Sequence, residues 1–540
     1  MDTFLQLLAG NTLTRLIFFP ALACLPLLFI RRDGAARAYA LLVGLIEAAF
    51  GIGLVWANWG SPFPLLRDGA PLPWIPSWGI QYSVGMDGIS MPLVLLSVIL
   101  LPIVVIGSWE GIHKNWQGFA LSLLLLTTGI LGALLALDLF LFYIFWEVML
   151  IPMYLIIGIW GGQRRVYAAV KFFLFTMAGS LLMLLAILWL AWTYKEMAGA
   201  WSFAFADLLR LQLPASEQAW LFGAFAIAFA IKVPMFPLHT WLPDAHVEAP
   251  TGGSVILAGI LLKLGTYGFL RFALPLFPQA SQRYAPLMAG LALVGILYGA
   301  LVAWVQADMK KLVAYSSIAH LGFVMLGLFA FDLMAWQGAL LQMVNHGLST
   351  GALFLIVGMI YERRHTKEFA QFGGLAKVMP WFAFFLVFST LSSVGLPGLN
   401  GFVGEFLILA GTFTSKSIAL RGVAATATFG VVLAAVYLLK MVAATIWGPI
   451  KHEENRSLKD LSWREKLLLA PLCLLMLWIG VAPEPFLAPS RPALAAVLTS
   501  YQARVTEIPV NTVALRPEAP LSEVALGVQP PGPVAAEARQ

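Results

Sequence analysis

Long apolar stretches alternate with short polar loops over most of this chain. A helix needs about 20 predominantly apolar residues to cross the hydrocarbon core of a bilayer. The pattern predicts an all-α polytopic membrane protein with about fourteen transmembrane helices, to within about one helix. The predicted spans lie near residues 13–30, 38–57, 88–107, 118–136, 138–159, 168–192, 219–236, 254–273, 286–306, 313–330, 335–360, 379–410, 425–448 and 466–486.

Three segments need separate interpretations. The apolar run from Leu16 to Ile30 precedes its arginines, whereas a secretory signal carries its positive charge in front. The segment from Trp201 to Leu213 is short and mixed, which predicts an interfacial helix. After Phe486 the chain is polar and rich in proline and alanine, which predicts a surface-bound or partly disordered tail.

Two of the predicted spans are interrupted by helix-breaking residues. Four prolines fall within IKVPMFPLHTWLPDAHVEAP, residues 231–250, and glycines and a proline fall within SSVGLPGLNGFVGEF, residues 392–406. Broken backbone at membrane depth is tolerated only where it is buried in protein or lines a wet cavity. Because paired broken helices are typical of inverted-repeat transporters, we expect two inverted five-helix repeats with breaks in helices seven and twelve.

These repeats divide the chain into four expected regions. The first region holds helices one to three, the second and third hold helices four to eight and nine to thirteen, and the fourth holds the last helix and the tail. Their expected bounds are residues 1–110, 111–275, 276–450 and 451–540.

Composition supports the membrane assignment and excludes several other classes. The chain is 60% apolar and 11% charged, whereas a soluble domain carries about 25% charged residues. Its net charge of +6 does not indicate nucleic acid, because the basic residues lie in short loops and not on one face. Cys24 and Cys473 lie in apolar runs, and the chain has no Gly-rich phosphate loop. We therefore expect no disulfide framework, metal, iron–sulfur cluster or nucleotide in this chain.

The basic residues favour one orientation in the membrane. Cytoplasmic loops carry an excess of Lys and Arg, and seventeen basic residues fall on one set of loops against eight on the other. Both termini are then predicted on the non-cytoplasmic side. The larger set is Arg31, Arg32, Arg37, Lys114, Arg164, Arg165, Lys310, Lys311, Arg363, Arg364, Lys367, Lys377, Lys451, Arg456, Lys459, Arg464 and Lys466; the smaller is Arg15, Arg67, Lys195, Arg210, Arg271, Arg283, Lys416 and Arg421.

Several ionisable residues lie inside the apolar runs. A charge at the bilayer centre costs about 3 kcal/mol on insertion scales, and such residues mark ion or proton paths by default. The central ones are Glu147, Lys232, Lys263 and Glu405. A buried lysine suits this role, because desolvation and a neighbouring carboxylate can switch its charge. Glu47, Lys171 and Lys440 are closer to a boundary, where snorkelling is the simpler explanation.

Three histidines add titratable groups with more than one possible role. His320 and His346 lie on neighbouring spans and are candidates for a haem pair. The segment HTWLPDAHVE, beginning at His239, has two histidines and two carboxylates that are candidates for a metal site. We favour a third interpretation, in which His239, His320 and His346 relay protons along a hydrated path.

Three segments resemble the antiporter-like membrane subunits of complex I, a family shared with multisubunit Na+/H+ antiporters. The first is AIKVPMFPLHTWLPDAHVEAPTGGSVILAGILLKLGTYG, residues 230–268. Residues 142–162, FYIFWEVMLIPMYLIIGIWGG, and residues 395–406, GLPGLNGFVGEF, are similar to the chain 4 (subunit M) type. The resemblance runs from about residue 82 to about residue 450.

The resemblance implies roles for the central residues. Glu147 and Lys232 match an interacting glutamate–lysine pair in helices five and seven, and Lys263 matches a central lysine in helix eight. His320 and His346 match relay positions, and Glu405 matches the outlet residue in helix twelve, where sister subunits usually carry lysine.

The resemblance also implies a cellular setting. The complex passes electrons from NADH to a quinone in the bacterial inner (plasma) membrane, and this subunit would translocate protons. FMN, iron–sulfur clusters and the quinone site would belong to partner subunits, and other membrane-arm subunits would be neighbours in the bilayer. The alternative is a subunit of a multisubunit cation/proton antiporter or of a membrane-bound hydrogenase. A solute permease and a structural anchor explain the row of buried charges less well.

Overall fold

A computed structural model describes residues 11–59, 66–415, 418–507 and 510–516, and a helix lies at each of the fourteen predicted spans. Lys416 and the last part of the predicted tail lie outside the described residues. The helices are α1 Thr12–Leu27, α2 Asp33–Asn58, α3 Met91–Gly107, α4 Trp116–Leu135, α5 Leu139–Trp160, α6 Arg165–Ala198, α7 Ala215–Lys232, α8 Trp241–Glu248, α9 Thr251–Leu276, α10 Pro278–Val305, α11 Met309–Leu328, α12 Leu333–Arg364, α13 Pro380–Val394, α14 Asn400–Thr414, α15 Ile418–Ile446, α16 Trp463–Val481 and α17 Arg491–Val505.

Length and apolarity make this a membrane-spanning bundle. In the described part of the chain, nine helices have at least 18 residues and are apolar enough to cross a bilayer. The helices α1, α3 and α13 are apolar but shorter. The prediction of an all-α polytopic membrane protein is confirmed, and the number of fourteen crossings stays a prediction.

Burial separates central helices from peripheral ones. The long helices differ in the burial of an 18-residue apolar stretch within each of them. In α9 this stretch is entirely buried, and in α12 and α11 it is 94% and 89% buried. In α2 and α6 the corresponding stretch is only 39% buried, so most of its side chains face outwards. A charge on α9, α11 or α12 is therefore enclosed by protein and does not meet lipid.

Both predicted helix breaks are present. The first lies between the end of α7 at Lys232 and the start of α8 at Trp241. The second separates α13 from α14, and Gly395 follows α13 with a φ of +83°, a conformation that glycine adopts without a Cβ penalty. At each break, backbone N–H and C=O groups lack the hydrogen bonds that a continuous helix would provide.

The central helix α9 is irregular in a way that the sequence pattern did not predict. Two π-helical segments, Leu257–Leu261 and Phe269–Ala273, flank the α-helical segment Leu262–Gly268 that carries Lys263. Single π turns inside α-helices are frequent at functional sites.

The described residues also form three small antiparallel sheets of two strands each. Leu66 pairs with Met86, Leu72 with Tyr82 and Leu211 with Leu515. The last pair joins the loop before α7 to the C-terminal segment. The strands are β1 Leu66–Arg67, β2 Leu72–Ile75, β3 Ile80–Tyr82, β4 Gly85–Met86, β5 Leu211–Gln212 and β6 Ala514–Leu515.

Two non-spanning segments differ from their predictions, the second of them only at its start. The interfacial segment from Trp201 forms only the short helix Phe205–Leu208 and β5, and its residues Phe205, Leu208 and Leu211 are buried in the protein. The start of the predicted tail forms α17, which packs on α10 and α12. Its buried residues Leu494, Val497, Leu498 and Tyr501 have helical spacing, a pattern hidden by the alanines and polar residues between them.

Candidate proton path

A row of buried ionisable groups crosses the centre of the bundle. Lys263 Nζ on α9 lies 2.6 Å from His346 Nδ1 on α12 and also donates to the Ala258 carbonyl in the first π segment. The ring of His346 lies 5.9 Å, between centroids, from that of His320 on α11. His320 Nδ1 lies 2.9 Å from Glu405 Oε1 on α14. Four predicted residues on four helices thus form one row.

A set of amides fixes the Glu405 end of the row. Gln342 Nε2 donates to Glu405 Oε1 at 3.1 Å, and Asn345 Nδ2 donates to the Gln342 side chain and to the Asn400 carbonyl. Ser392, before the second helix break, donates to the Asn400 side chain at 2.6 Å. The break therefore supplies polar groups that hold the carboxylate in place.

Glu147 and Lys232, which the resemblance implies to be an interacting pair, form no direct ion pair in the described part of the chain. In the described part of the chain, Lys232 Nζ has no hydrogen-bond partner and no carboxylate within 4 Å. Its ammonium lies 4.9 Å from the centroid of the Trp146 ring instead. Lys232 is 1% exposed, so its charge interacts with that of Glu147 through a low-dielectric interior.

Lys171 has a partner near the first break. Its Nζ lies 2.7 Å from Asp244 Oδ2 on α8, and both side chains are partly exposed. His239 lies in the same break, where its ring packs against Phe236 and Tyr298. Among the described residues, His239 forms no hydrogen bond with any of the four residues of the row.

The structure corrects three assignments of charged residues. Lys310 and Arg271 were predicted in loops but are 7% and 4% exposed. Arg271 in the second π segment pairs with Asp87 at 2.5 Å and donates to Tyr267. Glu47 was predicted near a boundary, yet it is fully buried on α2 and both its carboxylate oxygens lack a partner among the described residues. Lys440, six residues before the end of α15, donates to the Trp304 carbonyl at the end of α10.

The alternative readings of the histidines receive no geometric support. Both ring nitrogens of His320 have neighbours, Glu405 at 2.9 Å and the Tyr437 hydroxyl at 3.4 Å, so neither is free for iron. In HTWLPDAHVE, Asp244 faces Lys171 and His246 stacks on Phe354. Within the described residues no three His, Cys, Asp or Glu side chains are grouped as metal ligands.

The row can carry out proton transfer between neighbouring bases. When Lys263 is charged, it donates to Nδ1 of His346, and the proton of the neutral imidazole is then on Nε2. Glu405 accepts from His320 and Gln342 when it is ionised. Lysine, imidazole and carboxylate can each exist with or without a proton in such a site.

Sequence reasoning missed several residues around the row. Gln342, Asn345 and His346 share one face of α12 by their spacing of three and four residues, so the polar face was visible in the sequence. The pairs Lys171–Asp244 and Arg271–Asp87 join residues 73 and 184 positions apart. No local pattern connects residues at such separations.

Comparison with known proteins gives a consistent assignment. The transmembrane family described as NADH:quinone oxidoreductase/Mrp antiporter matches residues 136–433, and the amino-terminal family of NADH-ubiquinone oxidoreductase chain 4 matches residues 72–136. NADH-quinone oxidoreductase subunit M of Rhodobacter capsulatus is 42% identical over 510 residues, which cover 91% of this chain and 97% of that protein. The Escherichia coli K12 subunit M is 42% identical over 455 residues, covering 83% and 87%.

Solved structures show the same fold. A chain of respiratory complex I from Thermus thermophilus superposes with a TM-score of 0.82 at 32% identity, covering 92% of this chain and all of that one. The archaeal membrane-bound sulfane sulfur reductase gives a TM-score of 0.77 at 28% identity, covering 88% of this chain and 76% of that one. The Mrp complex from Dietzia gives 0.74 at 23% identity, covering 95% and 54%, which shows a shared fold only. By family, sequence identity and fold together, this chain belongs to the NADH-quinone oxidoreductase subunit M family of antiporter-like membrane proteins.

Proposed function

We propose that this chain is a proton-translocating membrane subunit of a respiratory NADH:quinone oxidoreductase in the bacterial plasma membrane. The observation that carries the proposal is the row Lys263–His346–His320–Glu405, which places four titratable groups on four central helices. Family membership supports the setting, because the relatives of similar length are named subunit M of that complex.

Within this function, the residues of the row store and pass protons. Lys263 holds a proton against the cost of burial, with the Ala258 carbonyl and His346 as acceptors. His346 and His320 pass the proton to Glu405, which the amides of α12 and α14 hold in place. Lys232 and Glu147 act on the row through their charges, because an unpaired ammonium in a low-dielectric interior responds strongly to nearby protonation.

The orientation and the repeats are part of the proposal. Both termini lie on the non-cytoplasmic side, because the more basic loops are then cytoplasmic. Regions 111–275 and 276–450 act as inverted repeats between the N-terminal region 1–110 and the C-terminal region 451–540. The equivalent breaks after α7 and α13 support this division.

Redox chemistry belongs to partner subunits in this proposal. NADH, FMN, iron–sulfur clusters and quinone bind elsewhere in the complex, and this chain contacts other membrane-arm subunits and lipid. The buried cysteines Cys24 and Cys473 lie far apart in the sequence on α1 and α16, which does not suit a cluster.

The test measures pumping and electron transfer together. Lys263→Met keeps the length of the side chain and removes its charge, so NADH-driven acidification of inverted vesicles should fall by about tenfold or more. Lys459→Met, in an exposed loop, is the matched control and should pump normally. Normal pumping by Lys263→Met at normal assembly would contradict the proposal.

An antiporter or hydrogenase subunit is the second candidate, favoured by the shared fold of the sulfane sulfur reductase and Mrp chains. The two candidates differ in the subunits with which this chain would assemble. Affinity purification of the native complex should recover subunits that hold flavin and iron–sulfur clusters and oxidise NADH. Recovery of a cation antiporter or a hydrogenase would favour the second candidate.

A further inference from the structure

A polar cavity of about 300 Å³ opens on the face that carries the more basic loops. It lies between the ends of α3, α5, α8 and α12 and the starts of α9 and α11. Charged residues line it, including Glu110, Glu248, Glu362, Lys310 and Lys367. A cavity of this size and polarity has room for several water molecules.

Salt bridges and hydrogen bonds shape the wall of this cavity. Glu110 pairs with Arg464 of α16 at 2.8 Å, and Glu248 accepts from the backbone N–H of Arg164 at 2.9 Å. The exposed His365 lies at its outer edge. The cavity thus has titratable groups in its lining, and the contacts of Glu110 and Glu248 hold parts of its wall in place.

Lys310 lies at the inner end of the cavity. Its side chain is buried, and its Nζ donates to the Ala249 carbonyl at the end of α8, at 2.5 Å. An ammonium has three donors, and among the described residues no carboxylate lies within 4 Å of this one. A buried lysine with one neutral partner is well suited to release its proton.

His246 lies on α8, three residues before Ala249, whose carbonyl accepts from Lys310. It is fully buried, its ring stacks on Phe354 at 4.6 Å, and neither ring nitrogen has a hydrogen-bond partner in the described part of the chain. The charges of Lys310 and Lys263 both act on this ring, and it also interacts with His346. His246 is next in sequence to Val247, which lines the cavity, and its ring packs on Phe354, two turns of α12 beyond His346.

We infer that protons reach the row through this cavity, by way of Lys310 and then His246 to Lys263, and not through Glu147 and Lys232. This inference rests on the proposed function and names its uptake route. The transfer is a proton passed between bases: Lys310 gives a proton to His246, His246 gives one to Lys263, and Lys310 takes another from the cavity. Glu147 and Lys232 have neither a hydrogen bond between them nor a lining role in this cavity.

Three variants and one neighbouring control test the route in the assembled complex. Lys310→Met removes the titratable ammonium group. His246→Phe keeps an aromatic ring stacked on Phe354 but has no nitrogen that can carry a proton. Both should lower acidification per NADH oxidised by about tenfold or more. Lys310→Arg keeps the charge but does not release its proton, so it should behave like Lys310→Met. Lys311→Met, at the exposed neighbouring position, should pump normally.

A cysteine placed in the cavity checks the same route without removing a titratable group. Val247→Cys faces the cavity, and both native cysteines are buried. A charged, membrane-impermeant thiol reagent added to the outside of inverted vesicles should stop pumping only in this variant. The unsubstituted complex treated in the same way is its control.

The outcomes separate this inference from the proposed function. If Lys310→Arg pumps normally, or if Lys310→Met and His246→Phe pump normally while Lys263→Met does not, the uptake route is wrong and the row remains. If Lys263→Met also pumps normally, the proposed function itself fails. A variant that does not assemble is replaced by the modified Val247→Cys complex, whose normal pumping would overturn the route.

Discussion

At the scale of single residues, the cost of burying charge made most of the row predictable. Lys263, His320, His346 and Glu405 were identified because titratable groups inside apolar runs are rare in helices that face lipid. Lys310 was placed in a loop because the predicted span began only at residue 313. In the structure it lies at the start of α11, beside the exposed Lys311. Burial at a helix end depends on neighbouring helices, which no local pattern reports.

The isolated Lys232 leads to the first prediction. Glu147→Ala and Lys232→Ala should each abolish most NADH-driven pumping, because each leaves the other charge without its electrostatic counterpart. Lys440→Ala serves as the control, since Lys440 donates to backbone carbonyls at the end of α10 and should be dispensable for pumping. Acidification of inverted vesicles is measured at equal assembly. If both core variants pumped like Lys440→Ala, the two charges would have no part in translocation.

At the scale of helices, glycine and proline predicted the two breaks but not the π segments. The breaks follow from residues that cannot continue a helix, such as the four prolines after Ile231. The π segments around Lys263 consist of ordinary helix-forming residues such as Leu257–Leu261. Their geometry comes from packing in a fully buried helix, so local propensity does not reveal it.

The second break gives an element-scale prediction. Gly395→Ala should destabilise the chain by about 1–2 kcal/mol, because an L-residue is strained at a φ of +83°. The added Cβ would also lie 3.2 Å from Glu405 Oε2, so pumping should fall together with stability.

Gly422→Ala is the matched control on α15, where the added Cβ meets nothing within 4 Å. In an exposed helix this change should be neutral or stabilising by up to about 1 kcal/mol. The fraction of chain retained in the complex after graded heating in detergent gives the stability of each variant. Equal retention for the two alanines would mean that the break tolerates a side chain.

At the scale of the whole molecule, hydropathy and loop charge gave the class of fold and a direction in the membrane. The family and the solved structures confirm the class. The C-terminal helix α17 was missed, because its apolar residues are spaced along one face and never form a run. Helical periodicity, and not apolar content alone, is the sequence signal that indicates such a helix.

The orientation leads to the third prediction. A reporter phosphatase that folds only outside the cytoplasm should be active when fused to the C-terminus, and a fluorescent reporter that matures only inside should be dark. A fusion made after His365, in a basic loop, should give the opposite result. An active fluorescent reporter at the C-terminus would reverse the proposed direction of the whole bundle.

The most direct measurement of the central claim is pumping by two variants of Glu405. Glu405→Gln keeps the shape and hydrogen bonding but cannot titrate, so pumping per NADH should fall sharply. Glu405→Lys restores a titratable group, of the kind that sister subunits carry at this position, and should keep part of the activity. A packing role predicts the reverse order, because a neutral amide is cheaper to bury than a charge of the wrong sign beside His320. Sharp loss with glutamine and partial activity with lysine, at equal assembly, is the result that this mechanism predicts; a mild glutamine variant beside an inactive lysine variant would contradict it.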